Sequence, residues 1–239
     1  MNPHDSQIHC WTVSVLMRDS LVSAAMDDAR PAPGEELTDG PPVEPRQAAT
    51  VIVLRGGDAA LEVLLLRRNP EARFMGGAWV FPGGAVDPAD GAAAAGPGAD
   101  AAHRAAAIRE VAEEAGLALP DPAALIPFSR WITPAQITIR FDTHFFLAPL
   151  PDGQEPRVDG GEMVALRWDT PGGALDAGRR GELQLVFPTV KHLEQLAAFD
   201  TAAALLDWAT GREVVAVEPR VIGGEAARVV LPGEPGYAG

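Results

Sequence analysis

Short strand-like runs alternate with helical stretches along this sequence, an order that predicts an α/β fold in which a mixed β-sheet is sandwiched between helices, with a helical C-terminal extension. Three observations carry the prediction. Short aliphatic runs are punctuated by Gly and Pro, as strands between turns are. An alanine-rich helical segment stands among them and ends in Gly116. Two further helical stretches follow the last long strand. With 239 residues and 47% hydrophobic content, the chain can hold one sizeable domain, or at most two small ones, around a real core.

Residues 1–46 stand apart. From Met26 to Arg46 there are five prolines and six acidic residues and almost nothing aliphatic. Burial there cannot offset the entropy of ordering, so 1–46 is expected to be a disordered tail and 47–239 the domain. Met26 is also a candidate start, which would leave the residues before it untranslated. Residues 50–54 and 61–66 read as antiparallel strands joined tightly at Gly56-Gly57-Asp58. Residues 78–81 read as a strand stopped by Pro82-Gly83-Gly84, and 91–98 as a surface loop. Asp100 is placed to cap the next helix, and Gly116 to close it in a left-handed conformation. Beyond it, 137–147 and 163–168 read as strands, 188–199 and 201–208 as helices, and 213–217 with 227–231 as a last hairpin.

The formal net charge is −14, from 33 acidic and 19 basic residues. Such a chain lacks the electrostatic footprint for duplex nucleic acid or an anionic membrane. A small anion would have to be met by clustered arginines or by bound cations. No apolar run approaches the ~20 residues that span a bilayer. The mildly apolar stretch 8–17 has no Lys or Arg before it and contains His9, Thr12 and Ser14, which argues against a signal peptide. The single cysteine, Cys10, allows no intramolecular disulfide, and a cytoplasmic location is expected.

On an α-helix, Glu110, Glu113 and Glu114 stand at i, i+3 and i+4 and project from one face. Ile108, Val111, Ala112 and Ala115 fall on the other and can anchor the helix in a core. Three carboxylates this close repel unless a cation sits among them, and hard oxygen donors suit Mg²⁺ or Mn²⁺. Arg109 is within reach of Glu113 and can orient it. Taken alone, three glutamates are more simply read as a solvated acidic helix face.

The surrounding string decides between these. Arg109-Glu110-Val111-Ala112-Glu113-Glu114-Ala115-Gly116-Leu117 resembles the second half of the Nudix box at every position. Gly84 followed six residues later by Asp90 resembles its first half, with the shorter acid in place of the usual Glu. The family has seven residues between that acid and the Arg, and this chain has eighteen. At strict spacing the acid would fall on Ala101, so 91–101 reads as an insertion, which a loop tolerates because closure entropy grows slowly with length.

The resemblance implies the Nudix fold and metal-dependent hydrolysis of a diphosphate linkage in a nucleotide-type small molecule. It also implies Glu110, Glu113, Glu114 and the Gly84 carbonyl as ligands of Mg²⁺ or Mn²⁺, and Arg109 as their orienting cation. Glu162, opening the segment that ends in Trp168, is the candidate general base, since many family members carry an acid on a mobile loop before such a strand. An exposed loop acid after Gly160-Gly161 explains it as well, and a helix glutamate is an alternative base.

The residues before the box resemble the signature of coenzyme A diphosphatases: Leu64-Leu65-Leu66-Arg67-Arg68, then Arg73, Gly77 and Phe81-Pro82-Gly83-Gly84. The spacing matches throughout, while Leu66 replaces Thr and Asn69 replaces Ser or Ala. Coenzyme A carries a 3′-phosphate beside its diphosphate, and Arg68 and Arg73 are suited to bidentate phosphate contacts. The resemblance thus implies Arg68, Arg73, Gly77 and Phe81 as substrate-binding residues, although the arginines equally suit a solvated loop. Residues 129–134 and 140–147 are similar to segments of the peroxisomal branch, which also carries an insertion in its box. Trp131 is placed either to stack on adenine or to fill the core. The final Gly236-Tyr237-Ala238-Gly239 is not a peroxisomal Ser-Lys-Leu signal.

Three readings follow: a coenzyme A or acyl-coenzyme A diphosphatase; a Nudix hydrolase of ADP-ribose, NAD or nucleoside polyphosphates; and a non-catalytic nucleotide-binding module. The complete glutamate set counts against the last. Neither nucleic acid nor membrane is expected as a partner, and a homodimer is compatible with the sequence.

Overall fold

Every residue from Ala48 to Leu54 except Thr50 is buried in the central strand, β1 (Arg46–Arg55). A strand covered on both faces reads as a continuous aliphatic run rather than an alternating one, as this one does. The computed structural model describes residues 37–38, 40–93, 100–119, 121–222 and 228–237. After β1 come β2 (Glu62–Arg68), β3 (Trp79–Val80), β4 (Gly83–Ala85), α1 (Pro88–Ala93) and α2 (Ala101–Ala115). Then follow β5 (Ile126–Ile132), β6 (Phe141–Pro149), β7 (Met163–Asp169), α3 (Pro171–Arg179), α4 (Phe187–Leu196) and α5 (Ala202–Ala209). Three short strands close the described chain: β8 (Ala216–Val217), β9 (Arg220–Ile222) and β10 (Arg228–Val230).

The main sheet has the order β3-β2-β1-β6-β5-β8, with β4 added to β1 and β7 to β2. β1 runs parallel to β6 over Arg46–Leu54 and antiparallel to β4, where Ala49 faces Gly84. Alternation along β1 splits its side chains between two cores. Ala49, Val51 and Val53 pack with Ala106, Ala107, Val111 and Ala115 of α2. Ile52 and Leu54 pack on the other face with Ala174 of α3, Leu193 of α4 and Leu205 of α5. The expected sandwich of a mixed sheet between helices, extended by C-terminal helices, is what forms.

Several elements differ from the expectation, each for a local reason. The expected strand 137–147 begins only at Phe141, because the Ile137 N–H bonds back to the Pro134 carbonyl at 3.1 Å in a turn. α3 spans a segment for which the sequence predicts no element. Thr170 caps it by accepting the Gly173 N–H at 3.1 Å, and Pro171 occupies the first turn. β5 also went unforeseen and stands between β6 and β8. The last hairpin joins β9 to β10, while 216–217 leaves to pair in parallel with β5. Gly91 and the two alanines after it continue α1 rather than starting a loop, and 94–99 lie outside the described residues. Asp100 does precede α2, but its side chain makes no capping bond. Gly116 has φ 63°, the left-handed closure foreseen, and donates its N–H to Ala112 O.

Of the expected tail, residues 1–36 lie outside the described residues. From Leu37 the chain runs beside the turn before β6. Leu37 bridges Ile137, and the Thr38 N–H donates to Gln136 O at 2.7 Å. Arg140, nearly buried, donates to Val43 O at 2.7 Å, and the Arg46 N–H donates to Arg140 O. A chain beginning at Leu37 should therefore keep the parent melting temperature. One beginning at Gln47 strands the Arg140 donor and should lose about 1–3 kcal/mol, roughly 3–10 °C by calorimetry. Equal melting temperatures for the two would show that 37–46 adds nothing to the domain.

Candidate active site

Helix α2 lies against the sheet through its small residues, which brings its backbone close enough for two glutamates to reach β4. The three glutamates do not share one solvent-facing side. Glu114 is only 4% exposed, and its Oε2 accepts the Gly83 N–H at 2.8 Å. Glu110 lies against Gly84, where a Cβ would fall 2.3 Å from Glu110 Oε1. Any side chain at position 84 would displace that carboxyl. Glu113 points outward, its side chain 59% exposed. Ala112, expected in the core, is exposed as well. Successive residues turn by about 100°, and the helix is rotated so that the 110/114 edge, not the middle of the acidic face, meets the sheet.

Arg109 joins these groups. Its Nη1 donates to Glu110 Oε1 at 2.8 Å and to Glu113 Oε2 at 3.1 Å. On the other side its Nε and Nη2 reach both oxygens of Asp90 at 3.1 and 3.0 Å, and Nη2 also bonds Ala85 O. Asp90 is 4% exposed and accepts the Asp87 N–H. The Arg109 guanidinium holds the Asp90 carboxyl below the usual carboxylate range, and Asp90 in turn raises the Arg109 pKa. The acid that resembled the first half of the box thus meets its arginine across nineteen positions.

The second group of expected residues gathers where β2 ends and β7 begins. Arg68 Nη2 donates to Glu162 Oε1 at 2.9 Å, and Arg68 Nε donates to Phe74 O. Glu162 is more than half exposed. Arg73 is exposed and makes no ion pair among the described residues. Gly77, at φ 80°, returns the 69–77 turn to β3. Phe81 is 4% exposed and packs edge-on against His192 in the core beneath α4. Trp131 likewise packs on Phe187 and His192, which is the core alternative. Two residues that the sequence offered no role bind the Glu162 loop: Asn69 and Asp159.

Among the described residues no three acidic, His or Cys side chains already converge as a metal-ligand cluster. Glu113, turned toward Arg109, is the member of the expected set that stands away. The remaining donors nevertheless suit a hard divalent cation. Burial pushes the Glu114 carboxyl up to about 8, against the Gly83 hydrogen bond, while Glu110 and Glu162 add repulsion and Arg68 relieves part of it. Burial raises Glu110 too, against its bond to Arg109. Oxygen donors forced together at this cost, beside a glycine that leaves room, form a site that a cation would stabilise. A cleft of about 290 Å³ lies elsewhere, lined by Asp100, Arg130, His144 and Arg212 among others, and includes none of these residues. Buried charge rather than concavity marks the site.

A model of the NUDIX domain family matches residues 44–186, well over half of the chain. Nudix hydrolase 7 of Caenorhabditis elegans is 30% identical over 64% of this chain and 60% of its own length. Acyl-coenzyme A diphosphatase NUDT19 of Homo sapiens is 26% identical over 65% of this chain and 66% of its own. The chain thus spans under two thirds of the length of these relatives. A crystal structure of a NUDIX hydrolase from Alicyclobacillus acidocaldarius superposes with a TM-score of 0.61 at 30% identity, covering 69% of this chain and 96% of that one. No helix among the described residues is long and apolar enough to cross a membrane. Fold, box and profile agree: this chain belongs to the NUDIX domain family.

Proposed function

We propose that this chain hydrolyses the diphosphate linkage of coenzyme A or an acyl-coenzyme A, giving 3′,5′-ADP and 4′-phosphopantetheine or its acyl form. The observation that carries diphosphate hydrolysis is the pair of buried carboxylates, Glu110 and Glu114, packed against Gly83-Gly84. The substrate reading is supported by the spacing of Arg68, Arg73 and Gly77 ahead of that site, and by likeness to the human acyl-coenzyme A diphosphatase. Its two departures do not weaken it. Leu66 is fully buried among the side chains that pack under α2, where a Leu serves packing. Asn69 has a structural partner of its own.

Glu110 and Glu114, with the Gly84 carbonyl and Glu113, would hold Mg²⁺ or Mn²⁺. Such ions supply charge neutralisation at the diphosphate and a more acidic water. Arg109 keeps Glu110 and Glu113 in fixed orientations. Glu162 takes the proton of the attacking water. Arg73, exposed and without an ion pair among the described residues, would receive a phosphate, and Arg68 can be drawn from Glu162 toward one. ADP-ribose, NAD and nucleoside polyphosphates share the diphosphate and form the second reading, to be separated by turnover.

Replacing Glu114 with Gln keeps an acceptor for the Gly83 N–H and removes the buried charge. Turnover with Mg²⁺ should fall at least 100-fold, and activity within a few fold of the parent would rule out this ligand set. Stability should change in the opposite direction. With its pKa raised from 4.5 to about 8, Glu114 binds a proton in the folded chain that the unfolded chain releases. Stability of metal-free protein should therefore fall as pH rises from about 4.5 to 8. In EDTA at pH 8.5, Glu114→Gln should melt several degrees above the parent, a gain on the order of 1–3 kcal/mol that shrinks at pH 5. An equal shift at both pH values would remove burial of the charge as its cause.

Dephospho-coenzyme A keeps the diphosphate and lacks the 3′-phosphate. If Arg73 reads that phosphate, kcat/KM should be roughly 10- to 150-fold lower on the dephospho form, matching about 1.5–3 kcal/mol for one charge-assisted contact. Arg73→Ala should show a similar loss on coenzyme A and almost none on dephospho-coenzyme A. Equal turnover of both by the parent, or a preference for ADP-ribose, would transfer the protein to the second reading.

A further inference from the structure

The loop that carries Glu162 has little rigidity of its own. Gly160 and Gly161 precede the glutamate, Gly160 at φ 80°, and both are exposed. Yet its peptide groups are held from two sides. Asp159 Oδ2 accepts the N–H groups of Gly161 and Glu162 at 2.9 and 2.8 Å, and its Oδ1 accepts that of Met163 at 2.8 Å. Those bonds order the turn locally, as an Asp side chain does for the backbone just after it. They do not fix where the turn stands relative to the rest of the site.

Asn69 supplies that second restraint. Its side-chain Nδ2 donates to Gly161 O at 2.8 Å, and its backbone N–H donates to Glu162 O at 2.7 Å. Its Oδ1 meanwhile accepts the Glu71 N–H at 3.0 Å, which fixes the amide's orientation. The pairing of β2 with β7 shifts register between Arg67 and Arg68, and Asn69 bonds directly beyond that irregularity. We propose that Asn69 is a positioning residue for Glu162, locking the turn at 69–77, which bears Arg73, to the loop that bears the base. This rests on the reading of Glu162 as general base. A shorter side chain at position 69, such as Ser, cannot span to Gly161 O while holding the Glu71 N–H. Proton transfer requires the base within hydrogen-bond reach of its water, so freeing the loop should lower the chemical step rather than binding.

The test is a double-mutant cycle on turnover of coenzyme A, or of ADP-ribose if that is the molecule cut, with Mg²⁺ present. Asn69→Ser should lower kcat roughly 10-fold, leave KM within about 2-fold, and leave the melting temperature within a few degrees. Asn69→Asp keeps the acceptor for Glu71 and loses the donor to Gly161, so it should reproduce the kcat loss and guards against a folding defect in the Ser variant. In the Glu162→Gln background, Asn69→Ser should have no further effect on kcat. If Glu162→Gln lowers kcat but Asn69→Ser adds its full loss on top, the positioning role is overturned and the base stands. A loss confined to KM would overturn it too. If Glu162→Gln leaves kcat within 2-fold, the base reading fails and the positioning role fails with it.

Discussion

The site depends on placing two carboxylates where water is scarce, at the contact between α2 and the short strand β4. Burial of a carboxyl is costly, and the chain meets that cost only in part, with one backbone N–H for Glu114 and one guanidinium for Glu110. Much of the surrounding structure follows from it. Ala106, Ala107 and Ala115 let α2 approach the sheet, since larger side chains would lift Glu110 and Glu114 away from Gly83-Gly84. β4 in turn is located by β1, through the pairing of Ala49 with Gly84, and β1 is covered on its far face by α3, α4 and α5. The C-terminal helices contribute no group to the site. They bury the other side of the strand that positions it.

Arg109 is the second constraint. A single guanidinium bonds Asp90, Ala85 O, Glu110 and Glu113, so α1, β4 and α2 are joined at one point. This explains why an interval longer than usual inside the box is tolerated. The pairing needs Asp90 to arrive at Arg109, and a chain of any sufficient length can deliver it, because closure entropy rises slowly with length. The shorter Asp suffices because α1 carries it up to the guanidinium, and the Asp87 N–H orients its second oxygen.

What was legible in the sequence followed from rigid local patterns. The run from Arg109 to Leu117 placed a helix and its closing Gly116 correctly, because helical spacing and a left-handed cap are decided within a few residues. The buried run of β1 was legible for the same reason. What the pattern left open was rotation. Spacing at i, i+3 and i+4 puts three glutamates within one 100° sector, but the neighbouring strand decides which edge of that sector is buried. That choice separates Glu114 from Glu113 and exposes Ala112. The spacing that matched a binding signature at Phe81 says nothing of where its side chain packs, which is the core beside His192. α3 was hidden by Gly172-Gly173, since a Thr cap and a following proline can start a helix over glycines that read as a turn. Asn69 left no signal, because a clamp between segments ninety-two positions apart has no local periodicity, whereas the Asp159 bonds are local to its own turn.

The charge balance sharpens what the site must do. The chain is acidic overall at −14, and its arginines near the site are largely engaged with its own carboxylates: Arg109 with Asp90, Glu110 and Glu113, and Arg68 with Glu162. On the proposed reading a diphosphate would come beside Glu110, Glu114 and Glu162, while Arg73 is exposed and without an ion pair among the described residues. Like charges at these separations repel strongly in partly buried surroundings. Two things can reverse that repulsion: a divalent ion shared between carboxylates and phosphate oxygens, or an exchange in which the substrate draws Arg68 from Glu162. The exchange has a useful direction. It leaves the Glu162 carboxylate without its guanidinium partner, and open to a water, only when a phosphate has taken the arginine. On the proposed role of Glu162 as the base, an anionic group of the substrate would then uncover the carboxylate that takes the water's proton, which links recognition of the substrate to the chemistry through a single 2.9 Å contact.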